Sequence, residues 1–267
     1  MIGDLDESKA PLMEHLVELR KRLIWSFISL GIAFAACFYF ADKIFAFLAQ
    51  PLVNAFGAGE GKLIYTKLYE AFFVEIRVAL FAAFFLAFPI IANQIWLFVA
   101  PGLYAKEKRA FLPFLIATPV LFTLGGALAY YVVMPTAFHF FLQFQGNLGG
   151  IEQEALPAVG DYLSLVMHFI FAFGLAFLLP VLLMLLERAG IVTRAQLAGG
   201  RRYAVLVAFV IAAVATPPDI LSQFMLAIPL IILYEVALIA IWFTERKRSK
   251  EALGAAADAA PPADPAP

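Results

Sequence analysis

The sequence predicts an all-α, polytopic membrane protein with six transmembrane helices and both termini in the cytoplasm. Composition is the first indication: of 267 residues, 63% are hydrophobic and only 15% are charged. The mean hydropathy is +0.88, so the chain has too little polar surface to cover a water-soluble globule of this size. The second indication is a series of apolar stretches, several of them longer than the roughly 20 residues that cross a bilayer as a helix.

The distribution of basic residues predicts the orientation of the chain. Fifteen of the nineteen Lys and Arg residues fall in four polar segments, at 9–22, 106–109, 188–202 and 246–250. These segments lie at alternate ends of the apolar stretches. Because positively charged loops stay on the cytoplasmic side, both termini are expected inside and the number of spans is even.

Three regions follow along the chain. Residues 1–22 form a cytoplasmic amphipathic segment, because leucines recur there at helical spacing, at Leu12, Leu16, Leu19 and Leu23. Residues 23–243 form the transmembrane domain, with spans at about 23–45, 72–99, 112–134, 162–186, 203–216 and 220–243. Residues 244–267 turn into Ala, Pro and Asp, a composition that predicts a disordered cytoplasmic tail.

The spans differ in length, and the links between them are polar or rich in glycine. The second span would measure roughly 42 Å as a helix, so it must tilt or bend in a core of about 30 Å. The fifth would measure only about 21 Å, which predicts a thinned or water-penetrated bilayer beside it. External loops are expected at 51–67 and 143–160, and Pro135 is expected to end the third span.

Two carboxylates on the cytoplasmic side are the candidate binding groups. Glu18 stands four residues before Arg22, so it either forms an ordinary i,i+4 pair or accepts a basic ligand. Glu107 stands among three basic residues and is, taken alone, a solvated loop charge. Together the two could hold two guanidinium groups through bidentate bonds, each contributing about 1.5–3 kcal/mol.

The sequence gives no support to catalysis, a metal site or a cofactor. It contains no His-Glu metal spacing, nucleophile-base pair or phosphate loop, and the single cysteine, Cys37, allows no internal disulfide. The alternative function is a proton-coupled secondary transporter of a small solute. That class needs ionisable groups near the midplane and related halves. Here Glu75 and Arg77 lie near an interface, and Glu235 is close enough to the basic tail to reach water.

Three segments, in this order, resemble the TatC family, the multispanning receptor subunit of the twin-arginine protein translocase. They are MEHLVELRKRL at 13–23, QIWLFVAPGLY at 94–104 with Glu107 close behind, and TPPD at 216–219 followed by Ser222 and Gln223. The resemblance covers roughly residues 12–243. It implies a concave, glove-like bundle in which helices five and six are short.

The resemblance also implies a function. Members of the family bind the twin-arginine signal peptides of folded precursor proteins and export those proteins across the bacterial plasma (inner) membrane. The proton motive force drives export, and this subunit hydrolyses no ATP. The implied partners are TatB- and TatA-like single-span membrane proteins in an oligomeric complex, with no nucleic acid and no cofactor.

The family's functional residues match particular positions of this chain. Glu18 and Glu107 match the acids that bind the twin arginines, and the neighbouring functional positions are Arg20, Arg22 and Phe98. Further structural or functional positions are Pro51, Glu70, Gln94, Pro101, Tyr104, Pro217, Asp219 and Gln223. One position departs from the family pattern: many relatives carry a polar residue, often Glu, where this chain has Leu178. We therefore expect no polar partner-docking role for span four.

Overall fold

The computed structural model describes residues 3–56, 62–103, 112–148, 151–216 and 219–258. This part of the chain is almost entirely helical. Its helices are α1 (Gly3–Tyr39), α2 (Ala41–Phe56), α3 (Glu70–Leu103), α4 (Leu112–Leu128), α5 (Met134–Leu142), α6 (Val159–Ala176), α7 (Leu179–Arg188), α8 (Arg194–Gly199), α9 (Arg201–Ala215) and α10 (Ile220–Asp258). A π-helical turn, Ala129–Val133, joins α4 to α5.

Within the described residues, five helical segments are long and apolar enough to cross a membrane: His15–Tyr39, Glu70–Phe98, Pro113–Leu142, Val159–Arg188 and Ile220–Arg246. Helix α9 has 15 residues and measures about 22 Å, so the short fifth helix is present. The sixth is not short, because its apolar segment, Ile220–Arg246, has 27 residues. The chain is therefore a multi-pass membrane protein, and the predicted α-helical fold class is confirmed. One small exception is the antiparallel pair of three-residue strands β1 (Gly146–Leu148) and β2 (Ile151–Gln153) in a loop expected to be irregular.

The third span does not end at Pro135, as the sequence predicts. The helix continues through the π-helical turn and into α5 as far as Leu142. In that turn the Met134 N–H donates to the Ala129 carbonyl, five residues back. The wider turn makes room for the Pro135 ring and tolerates the loss of the hydrogen bond that proline, which has no N–H, cannot donate. The proline therefore redirects the helix without stopping it.

The first external loop also begins later than the sequence predicts. Pro51 lies inside α2 and is buried. A proline leaves the carbonyl four residues before it without its helical donor, and here that carbonyl belongs to Phe47. The Tyr130 hydroxyl donates to it at 2.6 Å, and the Tyr130 and Phe47 rings stack with centroids 4.4 Å apart. Pro51 therefore creates the acceptor that ties α2 to the π-helical turn.

Helix α10 runs beyond the predicted end of the sixth span at 243 and reaches Asp258. Residues 244–258 are therefore helical, where the sequence predicts a disordered tail. Four alanines at 252–257, the strongest helix formers, favour continuation of the helix over an irregular chain. The remainder of the predicted tail, 259–267, lies outside the described residues.

Close approaches between helices rest on small residues. Helix α1 packs along α3 through a cluster made of Ala33, Cys37, Ala79, Ala83 and Ala87. A Cβ added at Gly125 in α4 would stand 2.4 Å from the Phe173 carbonyl oxygen, and one at Gly174 in α6 would stand 2.7 Å from the Phe122 ring. Helices α4 and α6 therefore need glycine where they cross, as small-residue packing between membrane helices requires.

Successive spans run in opposite directions, so the bundle has two rims. We use the name Glu18 rim for the end that carries His15, Glu18, Arg22, Gln94 and Phe98. The Glu70 rim is the opposite end, with Thr66, Lys67, Glu70 and Gly160.

Candidate functional site

Two of the sequence motifs meet at the Glu18 rim because α1 and α3 pack side by side in opposite directions. The His15 ring of α1 stacks on the Phe98 ring of α3, with centroids 4.3 Å apart and planes at 21°. The end of α3 is also fixed to α4, since Trp96 Nε1 donates to Thr118 Oγ1 at 2.8 Å. The Thr118 hydroxyl in turn donates to the Phe114 carbonyl at 2.7 Å. The rim is therefore a rigid junction of three helices.

Glu18 lies beside this junction on α1. Its Oε1 accepts a hydrogen bond from an Arg22 terminal guanidinium nitrogen at 3.0 Å. This is the i,i+4 pair that the simpler interpretation of the sequence expects. The two side chains are 32% and 27% exposed, so the pair can be reached from solvent. Within the described residues Glu18 has no second partner, and its other carboxylate oxygen is open to a ligand.

The rim also holds polar atoms with unused hydrogen-bonding capacity. Arg22 Nε and Gln94 Oε1 are both buried and have no partner among the described residues. Both residues lie deeper in the bundle than the ring stack of His15 and Phe98. Buried polar atoms without partners are costly, so these two are available to a ligand that binds beside Glu18. Three others, Gln145 Nε2, Asp219 Oδ2 and Ser222 Oγ, lie elsewhere in the described part of the chain.

The structure places only some of the predicted signal-peptide residues. It brings Glu18, Arg22 and Phe98 together, and it places Arg20 on the exposed side of α1. Helix α3 includes Pro101. Three of the remaining predicted positions lie outside the described residues: Tyr104, Glu107 and Pro217.

Glu70 is at the opposite rim and has a different environment. Its Oε2 accepts from Thr66 N–H at 2.7 Å, from Thr66 Oγ1 at 2.9 Å and from Lys67 N–H at 3.1 Å. Its Oε1 accepts from Gly160 N–H at 2.7 Å, across 90 residues of sequence. Both carboxylate oxygens are therefore used to join the start of α3, the segment before it and the first turn of α6.

Asp219 and Gln223 also make bonds that hold the fold together. The Ser222 N–H donates to Asp219 Oδ1 at 2.7 Å, so Asp219 caps the start of α10. Gln223 Nε2 donates to the Phe209 carbonyl at 3.3 Å, which links α10 to α9. These two predicted positions therefore anchor the short α9 to the helix that follows it.

Sequence reasoning missed the partner of Glu235. Arg201 binds it through two bonds, Nε to Oε1 at 2.8 Å and a terminal nitrogen to Oε2 at 3.0 Å. The adjacent Tyr234 hydroxyl donates to the Leu197 carbonyl at 2.7 Å. This clamp fixes α8 and the start of α9 against α10. Arg201 and Glu235 are 34 residues apart, so no local spacing signals the pair.

Leu178 lies in a groove of about 580 Å³ between α6, α7 and α9. The wall is apolar except for His168. The residues that line the groove include no carboxylate. Elsewhere in the described part of the chain, no group of three or more His, Cys, Asp or Glu side chains could hold a metal ion.

These features define a class, a multi-pass helical membrane protein with an open polar rim. The sequence model of the Sec-independent protein translocase protein (TatC) matches residues 14–229. A TatC from Magnetococcus marinus is 51% identical over 92% of this chain and 89% of its own length. One from Aquifex aeolicus is 40% identical over 90% of this chain and 98% of its own. The chain belongs to the TatC family, and the resemblance drawn from the motifs is confirmed.

Solved structures agree with this assignment. The crystal structure of the twin arginine translocase receptor TatC in DDM aligns with a TM-score of 0.73 and 40% sequence identity. The alignment covers 85% of this chain and 98% of that one. A second crystal structure of the receptor aligns with a TM-score of 0.68, again at 40% identity. The shared fold extends over nearly the whole of the crystallised receptor.

Proposed function

We propose that this chain is the receptor and core subunit of a twin-arginine translocation system. It binds the twin-arginine signal peptides of folded precursor proteins and exports those proteins across the bacterial plasma membrane, using the proton motive force. Family membership and the likeness to the crystallised receptor support this function. The observation that carries it is the partly exposed carboxylate of Glu18, held at a rigid three-helix junction and engaged through only one oxygen.

The bond between Glu18 and Arg22 leaves room for an incoming arginine. A partly exposed i,i+4 pair contributes only a few tenths of a kcal/mol. A guanidinium that binds a carboxylate through charge-assisted bonds contributes about 1.5–3 kcal/mol. A signal-peptide arginine can therefore use the free oxygen of Glu18 or displace Arg22 from the bound one.

Glu107 is the proposed partner for the second arginine. It follows Leu103, the last residue of α3, by four residues in the sequence, a stretch that spans at most about 14 Å when extended. The α3 end that precedes it is the one fixed to α1 by the ring stack. Two acids near one rim match a ligand with two adjacent arginines.

The membrane arrangement is part of the proposal. The Glu18 rim faces the cytoplasm and both termini lie on that side, an orientation supported by the four basic segments. We assign six spans within 23–243, with α9 as the short fifth, and an N-terminal cytoplasmic segment at 1–22. The partners are TatB- and TatA-like single-span proteins. The subunit binds and assembles and is not an enzyme, and a small-solute transporter finds no support among the relatives.

Crosslinking to a twin-arginine signal peptide tests the proposal. We expect Glu18→Gln and Glu107→Gln each to weaken crosslinking in membranes, and the double variant to abolish it, while the amount of inserted protein stays unchanged. Glu75→Gln is the matched control, because it removes an exposed carboxylate from the other end of the bundle. Unchanged crosslinking in the double variant would refute the assignment of the two acids.

Deletion of the gene tests the function as a whole. If the proposal holds, folded, cofactor-bearing secreted proteins accumulate in the cytoplasm of the deletion strain and reach the outside again when the chain is restored. Export that continues without the chain contradicts the receptor function.

A further inference from the structure

A second polar site lies at the Glu70 rim, far from Glu18. It is a groove of about 360 Å³ between the first turns of α3 and the first turn of α6. The polar side chains in its wall are Thr66, Lys67, Tyr69, Glu70, Arg77, Asp161 and Ser164. Charged side chains therefore line the groove at this end of the bundle.

Arg77 is the unusual residue of this groove. It lies two turns inside the apolar segment Glu70–Phe98 and is exposed. Within the described residues it has neither an ion pair nor a hydrogen bond. An arginine at this depth is costly without an anion and usually marks a binding site. Its long side chain can carry the guanidinium outward along the groove toward the headgroup region.

The groove holds two cations, Lys67 and Arg77, and two carboxylates, Glu70 and Asp161, but within the described residues neither carboxylate pairs with Arg77. Glu70 is on the same face of α3, but its two oxygens already accept four hydrogen bonds. Glu75 is two residues from Arg77 and so points to another side of the helix. Asp161 in the α6 wall is the second carboxylate of the groove, and among the described residues it forms no ion pair with Lys67 or Arg77.

The groove opens where lipid headgroups are expected. Tyr69 lines it, Tyr65 and Phe72 are close to its residues in sequence, and all three are between 55% and 59% exposed. Aromatic side chains of this kind concentrate at the boundary between hydrocarbon and water. The anion that can reach Arg77 from the membrane is therefore a lipid phosphate.

We propose that this groove binds the headgroup phosphate of an anionic phospholipid. The Arg77 guanidinium takes two phosphate oxygens, the geometry that arginine favours, and Lys67 adds a point charge. Basic pockets between membrane helices bind anionic headgroups in this way. The proposal is independent of signal-peptide binding, because it concerns the other rim.

Native mass spectrometry of the full chain, released from vesicles that contain equal amounts of phosphatidylcholine and phosphatidylglycerol, tests it. We expect one phosphatidylglycerol to stay bound, and its retention to fall about tenfold in the Lys67→Gln/Arg77→Gln double variant, the factor that corresponds to about 1.4 kcal/mol. Lys43→Gln removes another exposed cation and should change nothing. Asp161→Asn should increase retention, since it removes the opposing charge.

Several outcomes would overturn the proposal. They are unchanged retention in the double variant, an equal loss in Lys43→Gln, weaker retention in Asp161→Asn, or equal retention of phosphatidylcholine. Binding of inorganic phosphate in detergent as tight as that of the lipid would also overturn it, because the site would then recognise a free anion. The unfolding temperature of each variant in detergent separates lost binding from lost folding. Arg77→Lys, which keeps the charge, should retain part of the binding if the double variant unfolds.

Discussion

The two rims of this bundle use carboxylates in opposite ways. At the Glu70 rim one carboxylate accepts four hydrogen bonds, three of them from backbone N–H groups. At the Glu18 rim the carboxylate accepts one bond from a side chain four residues away. Buried polar atoms without partners, Arg22 Nε and Gln94 Oε1, lie beside it. A carboxylate whose two oxygens are both hydrogen-bonded holds a fold together. A carboxylate with an unused oxygen at a rigid junction is free to bind a ligand.

The difference has a physical basis in what each rim must do. Backbone N–H groups at the start of a helix have no intrahelical acceptor, and Glu70 supplies one for Gly160 at the start of α6. A receptor surface needs the reverse: its polar groups must keep unused hydrogen-bonding capacity in the folded protein. A ligand can then form those hydrogen bonds when it binds. Variants at each rim test whether this contrast holds.

The largest effect is expected for Glu70→Ala. The Thr66, Lys67 and Gly160 N–H groups lose their acceptor, so the segment before α3 should detach from α6. We expect rapid protease cleavage within 62–69 in membranes and a lower unfolding temperature in detergent. Glu75→Ala, which removes an exposed acid on the same helix, should leave both unchanged.

The same variant sharpens the contrast between the rims. Signal-peptide crosslinking near Glu18 should persist in Glu70→Ala, because the two rims are separated by the length of α3. Loss of crosslinking while 62–69 stays protected would show that Glu70 belongs to the receptor surface after all.

The sequence was most informative where structure follows local pattern. Apolar length and basic segments predict the spans, and the short motifs predict Glu18 and Phe98 as neighbours of the site. The decisive long-range bonds leave no periodic trace: Gly160 to Glu70 spans 90 residues and Tyr130 to Phe47 spans 83. The predicted start of the first external loop at Pro51 was wrong for a related reason. A tyrosine distant in sequence donates to the carbonyl that Pro51 leaves without a helical donor.

The second largest effect is expected at the Glu18 rim, from a change in the ligand. A signal peptide with lysines in place of both arginines should bind roughly a hundredfold more weakly, if each arginine loses a bidentate bond worth about 1.4 kcal/mol. Titration of labelled peptides with the purified receptor measures this. A twin-lysine peptide that binds as tightly as the twin-arginine peptide would contradict recognition by paired carboxylates.

A third, smaller effect is expected for Tyr130→Phe, which removes a bond to a backbone carbonyl remote from both acids. The Phe47 carbonyl would lose its donor, since Pro51 has no N–H to offer, at a cost of about 2 kcal/mol. Thermal or denaturant unfolding in detergent measures the loss. Adding Pro51→Ala should recover part of it, because alanine restores the helical N–H. A double variant no more stable than Tyr130→Phe alone would show that the carbonyl was not the cause.

The smallest effect is expected for Arg22→Gln. If the Glu18 rim is unsaturated, this change removes only a partly exposed i,i+4 pair and lowers the free energy of unfolding by about 0.3–0.5 kcal/mol. Denaturant unfolding in detergent measures it, with Arg22→Lys as the control that keeps the charge. A loss above about 1 kcal/mol would mean that the guanidinium is bound within the bundle. The polar groups of the Glu18 rim would then be as fully hydrogen-bonded as those of the Glu70 rim. The contrast between a carboxylate that stabilises the fold and one that binds a ligand would fail.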